Sequence, residues 1–271
     1  MLPGSSVPGG GNNVITVHNF SGGLLNPALG YAMAVLGAFL GLRCITRARA
    51  HEGTARGRWL VGAAVAIGAT GIWGMHFIAM LGFAIPGESI RYNVPITILS
   101  MFVAVLVVAV GLFIVGYREE GPIPLLAGGV IIGFGVAIMH YVGMAAMSMP
   151  AVVHYNNPLV ALSVLIAVVA GTAGLWAGLR VKGVWSTLAA SLIFGVAVTG
   201  MHYTGMAAMR VNAPTGMGSM MGGDTAASFL LPLILGLSLV SFLLALIITL
   251  SPTEDEIHAE AQLTRRLADR G

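Results

Sequence analysis

The chain reads as an all-α, polytopic membrane protein: a bundle of seven transmembrane helices. Composition gives the solvent, because 57% of the 271 residues are hydrophobic, 8% are charged, 38 are glycine and mean hydropathy is +0.90. Such a chain is too apolar for a water-exposed domain and suits a bilayer, where glycine is common in helices. Periodic runs give the helix count: apolar stretches able to cross a hydrocarbon core of about 30 Å, about 20 residues each, lie at 24–43, 59–83, 96–117, 123–149, 158–179, 184–209 and 227–250. A repeated triplet gives the internal plan, occurring at Met75-His76-Phe77, Met139-His140-Tyr141 and Met201-His202-Tyr203.

Taken in order, residues 1–23 are rich in Gly, Asn and Ser and lack the basic and apolar regions of a signal peptide, so they are expected as an outer N-terminal segment. The first span leads into a connection at 43–58 bearing Arg43, Arg47, Arg49, Arg56 and Arg58. Spans two, four and six carry the motif. Arg118 follows the third span, Arg180 and Lys182 the fifth. After span seven, Pro252 opens the tail 251–271, whose Glu254, Asp255 and Glu256 precede Arg265, Arg266 and Arg270, the charge order a short helix prefers. Those eleven basic residues share one side, against Arg91 and Arg210 on the other. The positive-inside rule therefore places the N-terminus outside and the C-terminus in the cytoplasm. The basic connection is explained by orientation and by anionic inner-leaflet lipid, without nucleic acid.

Several functions are excluded. The single Cys44 forms no intrachain disulfide and no Cys-x-x-Cys motif. Span seven has no lysine for a retinal Schiff base, and no span holds a central Asp or Glu of the kind a proton or ion pump uses. Without an outer carboxylate or Ser-His-acid set beside the histidines, a hydrolase is not expected. The chain reads as a non-enzyme.

The motif has repeat spacing: 64 residues separate His76 from His140, and 62 separate His140 from His202. The segments AIMHYVGMAAMSMP (137–150) and VTGMHYTGMAAMRVNAP (198–214) align closely, and GMHFIAMLGFAIP (74–86) is a looser copy. Each period contains two spans, so three two-helix repeats run parallel, related by an axis along the membrane normal, with one further helix. The three histidines then share one level, about 5 Å below the outer hydrocarbon boundary at 1.5 Å per residue.

On each motif helix the histidine shares a face with the methionine four residues on, which pairs His76 with Met80, His140 with Met144 and His202 with Met206. Met147 and Met209 continue two of these ladders. Ala79, Gly143 and Gly205, with Gly135, Gly195 and Gly200 below, are small enough to let the motif helices approach. Imidazole with thioether favours copper, especially Cu(I). Coordination needs neutral imidazole, so occupancy falls as pH drops through the imidazole range. Two other readings stay open. Met75, Met139 and Met201, like Met147, Met149 and Met209, suit apolar packing, and three histidines inherited by duplication serve equally as interhelical hydrogen-bond partners. Phe77, Tyr141 and Tyr203 fit an interfacial aromatic belt better than support of a ligand. His18 and His154, in outer loops, are accessory ligand candidates, and Met217, Met220 and Met221 suit either thioether capture or a plain polar loop.

The triple Met-His-aromatic pattern on alternate helices, with short arginine-rich inner loops, resembles the MHYT-domain family of bacterial integral membrane sensors. Only Met201-His202-Tyr203-Thr204 spells the full motif; Val142 replaces Thr in the second copy, and Phe77-Ile78 replaces Tyr-Thr in the first. The resemblance covers 24–250 and implies a copper site near the outer face of a bacterial inner membrane, sensing a diatomic gas (O2, CO or NO) or a redox cue. It implies His76, His140 and His202 as ligands, assisted by Met80, Met144 and Met206; beside these, Met75, Met139, Met201, Met147, Met209, Tyr141 and Tyr203 are accessory candidates from the residues themselves. Family members often carry a cytoplasmic output domain; this sequence reads as a stand-alone form signalling to a separate cytoplasmic protein. Copper uptake, storage or delivery to a membrane oxidase is the alternative, and bis-histidine haem a third.

Overall fold

The computed structural model describes residues 17–86, 90–118, 121–149, 151–212 and 223–251. Seven helices are long and apolar enough to cross a membrane: α1 (Leu25–Arg49), α2 (Gly53–Met80), α3 (Val94–Tyr117), α4 (Pro122–Ala145), α5 (Asn157–Arg180), α6 (Val184–Ala208) and α7 (Ser228–Leu250). The polytopic all-α class read from the sequence is therefore the observed one. Two helices start with the same device. Asn93 and Asn156 accept hydrogen bonds from the Ile96 and Leu159 amides at 3.1 and 3.3 Å, and Pro95 and Pro158 sit in the first turn, where a missing N–H costs nothing.

Successive helices pack side by side from α1 to α6, and α6 returns to α1, closing a ring of six. The motif helices α2, α4 and α6 alternate with α1, α3 and α5 around it. α7 lies outside, against α1 and α2, tied by a buried hydroxyl pair between Thr70 and Ser241 at 2.8 Å. α2 is the most enclosed span and winds in wide π-type turns over Val65–Gly74. Its glycines permit this position: a Cβ on Gly68 would press on the α3 backbone at Ala104 and Val105, and one on Gly37 of α1 would overlap the Gly71 backbone.

The expected connection at 43–58 is corrected. α1 continues through Arg43, Arg47 and Arg49, and only residues 50–52 separate it from α2. Helix C-termini leave carbonyls unpaired, and these arginines satisfy them: Arg47 donates to Ile248 O at 3.0 Å, Arg49 to Leu179 O at 2.7 Å and Arg56 to Gly116 O at 3.2 Å. The basic cluster is thus built into the fold.

At the opposite, motif end the chain forms short antiparallel strands that no sequence period announced. β1 (Arg91–Tyr92) lies between β2 (Met147–Ser148) and β5 (Asp224–Thr225), while β3 (Val152–Tyr155) pairs with β4 (Met209–Asn212). Consequently the methionine ladders stop early. α4 ends at Ala145 and α6 at Ala208, so Met147 and Met209 belong to strands rather than to a further helical turn.

Candidate metal centre

Three motif helices entering the ring at equal phase bring His76, His140 and His202 together at its axis, each about 1% exposed. Their ring centroids are 4.9, 5.0 and 5.2 Å apart and the planes are nearly perpendicular, at 79 to 88°. His76 Nδ1 lies 3.0 Å from His202 Nδ1 and 3.2 Å from His140 Nδ1. The three rings offer one ligand atom each, all within 4.8 Å of one another.

This arrangement poses a problem of protons. A neutral imidazole has one proton for two nitrogens, so each inward Nδ1 presents either one N–H or one lone pair. Three meeting Nδ1 atoms cannot all satisfy each other, and buried unsatisfied polar atoms are costly. A cation taking all three lone pairs removes the conflict among the Nδ1 atoms, with every proton moved to Nε2. Nitrogen ligands about 2.0 to 2.1 Å from a tetrahedral ion lie about 3.3 Å apart, close to the spacing present here. The donor set therefore fits a metal ion.

The rings are held from outside by glycine. A Cβ on Gly143 of α4 would strike His76 Nε2, and one on Gly205 of α6 would strike the His140 ring. His76 and His140 thus each lean on the next motif helix, three residues past that helix's own histidine; the matching position of α2 is Ala79. His76 Nε2 and His140 Nε2 have no hydrogen-bond partner among the described residues. Gly143 and Gly205, small enough to let helices approach, more specifically leave room for the rings. Gly135 and Gly195 admit side chains of the outer helices, Val107 from α3 and Tyr31 and Val35 from α1, while Gly200 has no neighbour within 4 Å and plays no packing role.

Met80, Met144 and Met206 are buried, as are Met75, Met139 and Met201. His18 and His154 are exposed, lie in backbone pairings with Ala84 and Arg210, and stand outside the histidine group. Met217, Met220 and Met221 lie outside the described residues.

The aromatic belt is corrected for Phe77, which is 0% exposed and packs against Trp73, His76 and Tyr92. All three motif aromatics meet their own histidine edge-on at 4.7 to 4.9 Å. Tyr141 shares a hydrogen bond with Ser163 at 2.8 Å; Tyr203 stacks on Phe20 at 5.2 Å, and its buried hydroxyl has no partner among the described residues. Ser163 escaped the sequence reading although a signal existed. Ser100 and Ser163 both stand five residues after the N-terminal prolines of α3 and α5, and Ser100 accepts from Trp73 Nε1 at 3.0 Å.

Fold and site together define a polytopic membrane protein with a buried three-histidine group able to hold a metal ion. Residues 70–129 and 133–191 match the family model MHYT, described as a bacterial signalling protein N terminal repeat, so the region 70–191 carries MHYT repeats. The matched ranges take in the first two motif copies, while the third lies just beyond them. Over 186 residues, 67% of this chain and 27% of the relative, it is 38% identical to the bifunctional diguanylate cyclase/cyclic di-GMP phosphodiesterase MucR of Pseudomonas aeruginosa. It is 41% identical to the cyclic di-GMP phosphodiesterase NbdA of the same organism over 54% of this chain and 19% of that protein. An uncharacterized signaling protein of Caulobacter vibrioides is 32% identical over 66% of this chain and 22% of its own length. The chain thus spans about a quarter or less of these curated relatives. No solved structure matches it.

Proposed function

We propose that this protein is a non-enzymatic sensor of a bacterial inner membrane, with its N-terminus in the periplasm and its C-terminus in the cytoplasm. In this reading His76, His140 and His202 hold one copper ion near the outer face, with Met80, Met144 and Met206 as assisting thioethers. The observation that carries the reading is the inward convergence of three buried Nδ1 atoms at 3.0 and 3.2 Å. Copper, when bound, supplies an open coordination position for O2, CO or NO, or a change of redox state. The residues do the rest: the rings hold their lone pairs inward, Gly143 and Gly205 fix their tilt, and the surrounding apolar shell excludes bulk water. Because the His76 and His140 rings lie against Gly143 of α4 and Gly205 of α6, a change at the triad bears on more than one motif helix, as a two-state switch requires. A cytoplasmic signalling protein would read that shift at the arginine end; the cyclic di-GMP enzymes among the relatives make cyclic di-GMP turnover the natural output class.

Copper delivery at the outer face shares the same site. Transport through the bundle is disfavoured, because a pocket of about 10 Å³ on the motif helices is lined by apolar residues such as Ile72, Ile132, Val136, Phe194 and Val198, which offer a metal ion no ligand. Bis-histidine haem is disfavoured as well, since rings this close leave no gap for a macrocycle between them.

Metal analysis tests the reading. Wild-type protein purified after copper supply is expected to carry about one ion per chain, and the His76→Ala/His140→Ala/His202→Ala variant none. Equal copper in both, or none in either, rejects the site.

A further inference from the structure

The arginine end of the ring contains a cavity of about 300 Å³ that the metal reading does not use. It opens between the ends of α1, α2, α3 and α5, so it lies inside the ring rather than on its lipid-facing side. Its walls are apolar, formed by residues such as Ile45, Leu60, Leu112 and Leu175, and its rim carries Arg49, Arg56 and Arg118. No carboxylate lines it among the described residues.

Two of the guanidiniums are fixed in place. Arg49 is anchored by its bond to Leu179 O, and Arg56 by bonds to His51 O and Gly116 O. Each uses only part of its five-donor fork, which leaves N–H groups to offer. Arg118 is exposed and has no hydrogen bond or ion pair among the described residues. Three cations stand around one apolar cavity, and a planar guanidinium fork matches phosphate oxygens well. Cavity volume is at the small end of ligand sites, which suits one headgroup-sized molecule.

We infer that this vestibule binds a phosphate ester carried on an apolar body, its phosphate between Arg49, Arg56 and Arg118 and its apolar part against the leucine-rich wall. The chemistry is shared by an anionic phospholipid headgroup and by a soluble organic phosphate; basic pockets between membrane helices commonly take the former. The inference stands independently of the metal site.

The test uses the full chain in phosphatidylcholine bilayer discs, with two probes. In one arm phosphatidylglycerol is added to the discs and the lipid retained per protein is counted by mass spectrometry; in the other inorganic phosphate is titrated against the phosphatidylcholine discs. Arg118→Gln is the informative variant, because that side chain has no hydrogen bond or ion pair among the described residues, and Arg58→Gln, exposed at the same end but outside the cavity, is the control for general charge loss. Circular dichroism confirms that both remain helical. Saturable binding of either probe, weakened about tenfold or more by Arg118→Gln and unchanged by Arg58→Gln, supports the site, and the responding arm identifies the source. Binding of neither probe, or equal loss in the two variants, overturns it.

Discussion

The first and third motif helices, α2 and α6, supply the same histidine to the same axis but live in different surroundings. α2 has 78% of its central window buried, because α7 covers the side that would otherwise meet lipid; α6 has 28%. Phe77 is wholly enclosed, whereas Tyr203 is half-buried and stacks on Phe20. The contrast separates two demands on the motif. The histidine meets the ring axis in all three copies, where the site is the same; the cover over the aromatic differs. A phenol hydroxyl at position 77 would be buried with no water to meet it. The loosest copy of the motif is therefore the one most deeply packed.

The largest expected effect comes from the seats the rings share. Gly205→Ala places a methyl on the His140 ring and Gly143→Ala one on His76, so either variant is expected to displace a ligand and lower copper affinity about tenfold or more, as loss of precise support around metal ligands does. Gly200→Ala, with nothing within 4 Å, serves as the comparison and is expected to leave metal content unchanged. Equal affinity in Gly205→Ala and Gly200→Ala would break the claim that glycine seats the rings.

A smaller effect is expected at the aromatic position of α2. Phe77→Tyr adds a hydroxyl to a sealed environment and should lower stability by about 1 to 3 kcal/mol, read from the thermal midpoint of the protein in bilayer discs. A neutral result would mean that Trp73, His76 and Tyr92 enclose this ring less tightly than the structure indicates.

The smallest effects sharpen the same contrast. Tyr141→Phe removes the bond to Ser163 and leaves that serine its link to Val160 O, so a loss of about 0.5 to 1.5 kcal/mol is expected. Tyr203→Phe removes a hydroxyl that has no partner among the described residues, so it should be neutral or slightly stabilising. If Tyr203→Phe is the more damaging of the two, its hydroxyl has a role that the packing does not reveal.

Hydropathy made most of the scaffold legible. The ends of α3, α5 and α6 fall within two residues of the predicted spans, and α1 and α2 differ because arginines near a helix end extend the helix by bonding to neighbouring carbonyls instead of ending it. Repeat spacing was enough to place His76, His140 and His202 at one level, but not to show that they face one another. A helix apolar all around has no polar face to report its rotation, so the inward turn of the rings, the use of Nδ1 and the π-type winding of α2 had no counterpart in periodicity. Strands of two to four residues are too short to alternate visibly, which is why Met147 and Met209 were carried onto helices that had already ended. Ser163 was missed for a different reason: its meaning depends on Tyr141, which lies 22 residues away and on another helix.

The most direct test of the central claim is X-ray absorption at the copper edge of the copper-loaded protein. Three imidazole rings bound through nitrogen at about 2.0 Å, reduced to two in each single His→Ala variant that retains copper, is the predicted result. A shell dominated by thioether sulfur, or one with fewer than three imidazoles in the wild type, would contradict a site built from His76, His140 and His202.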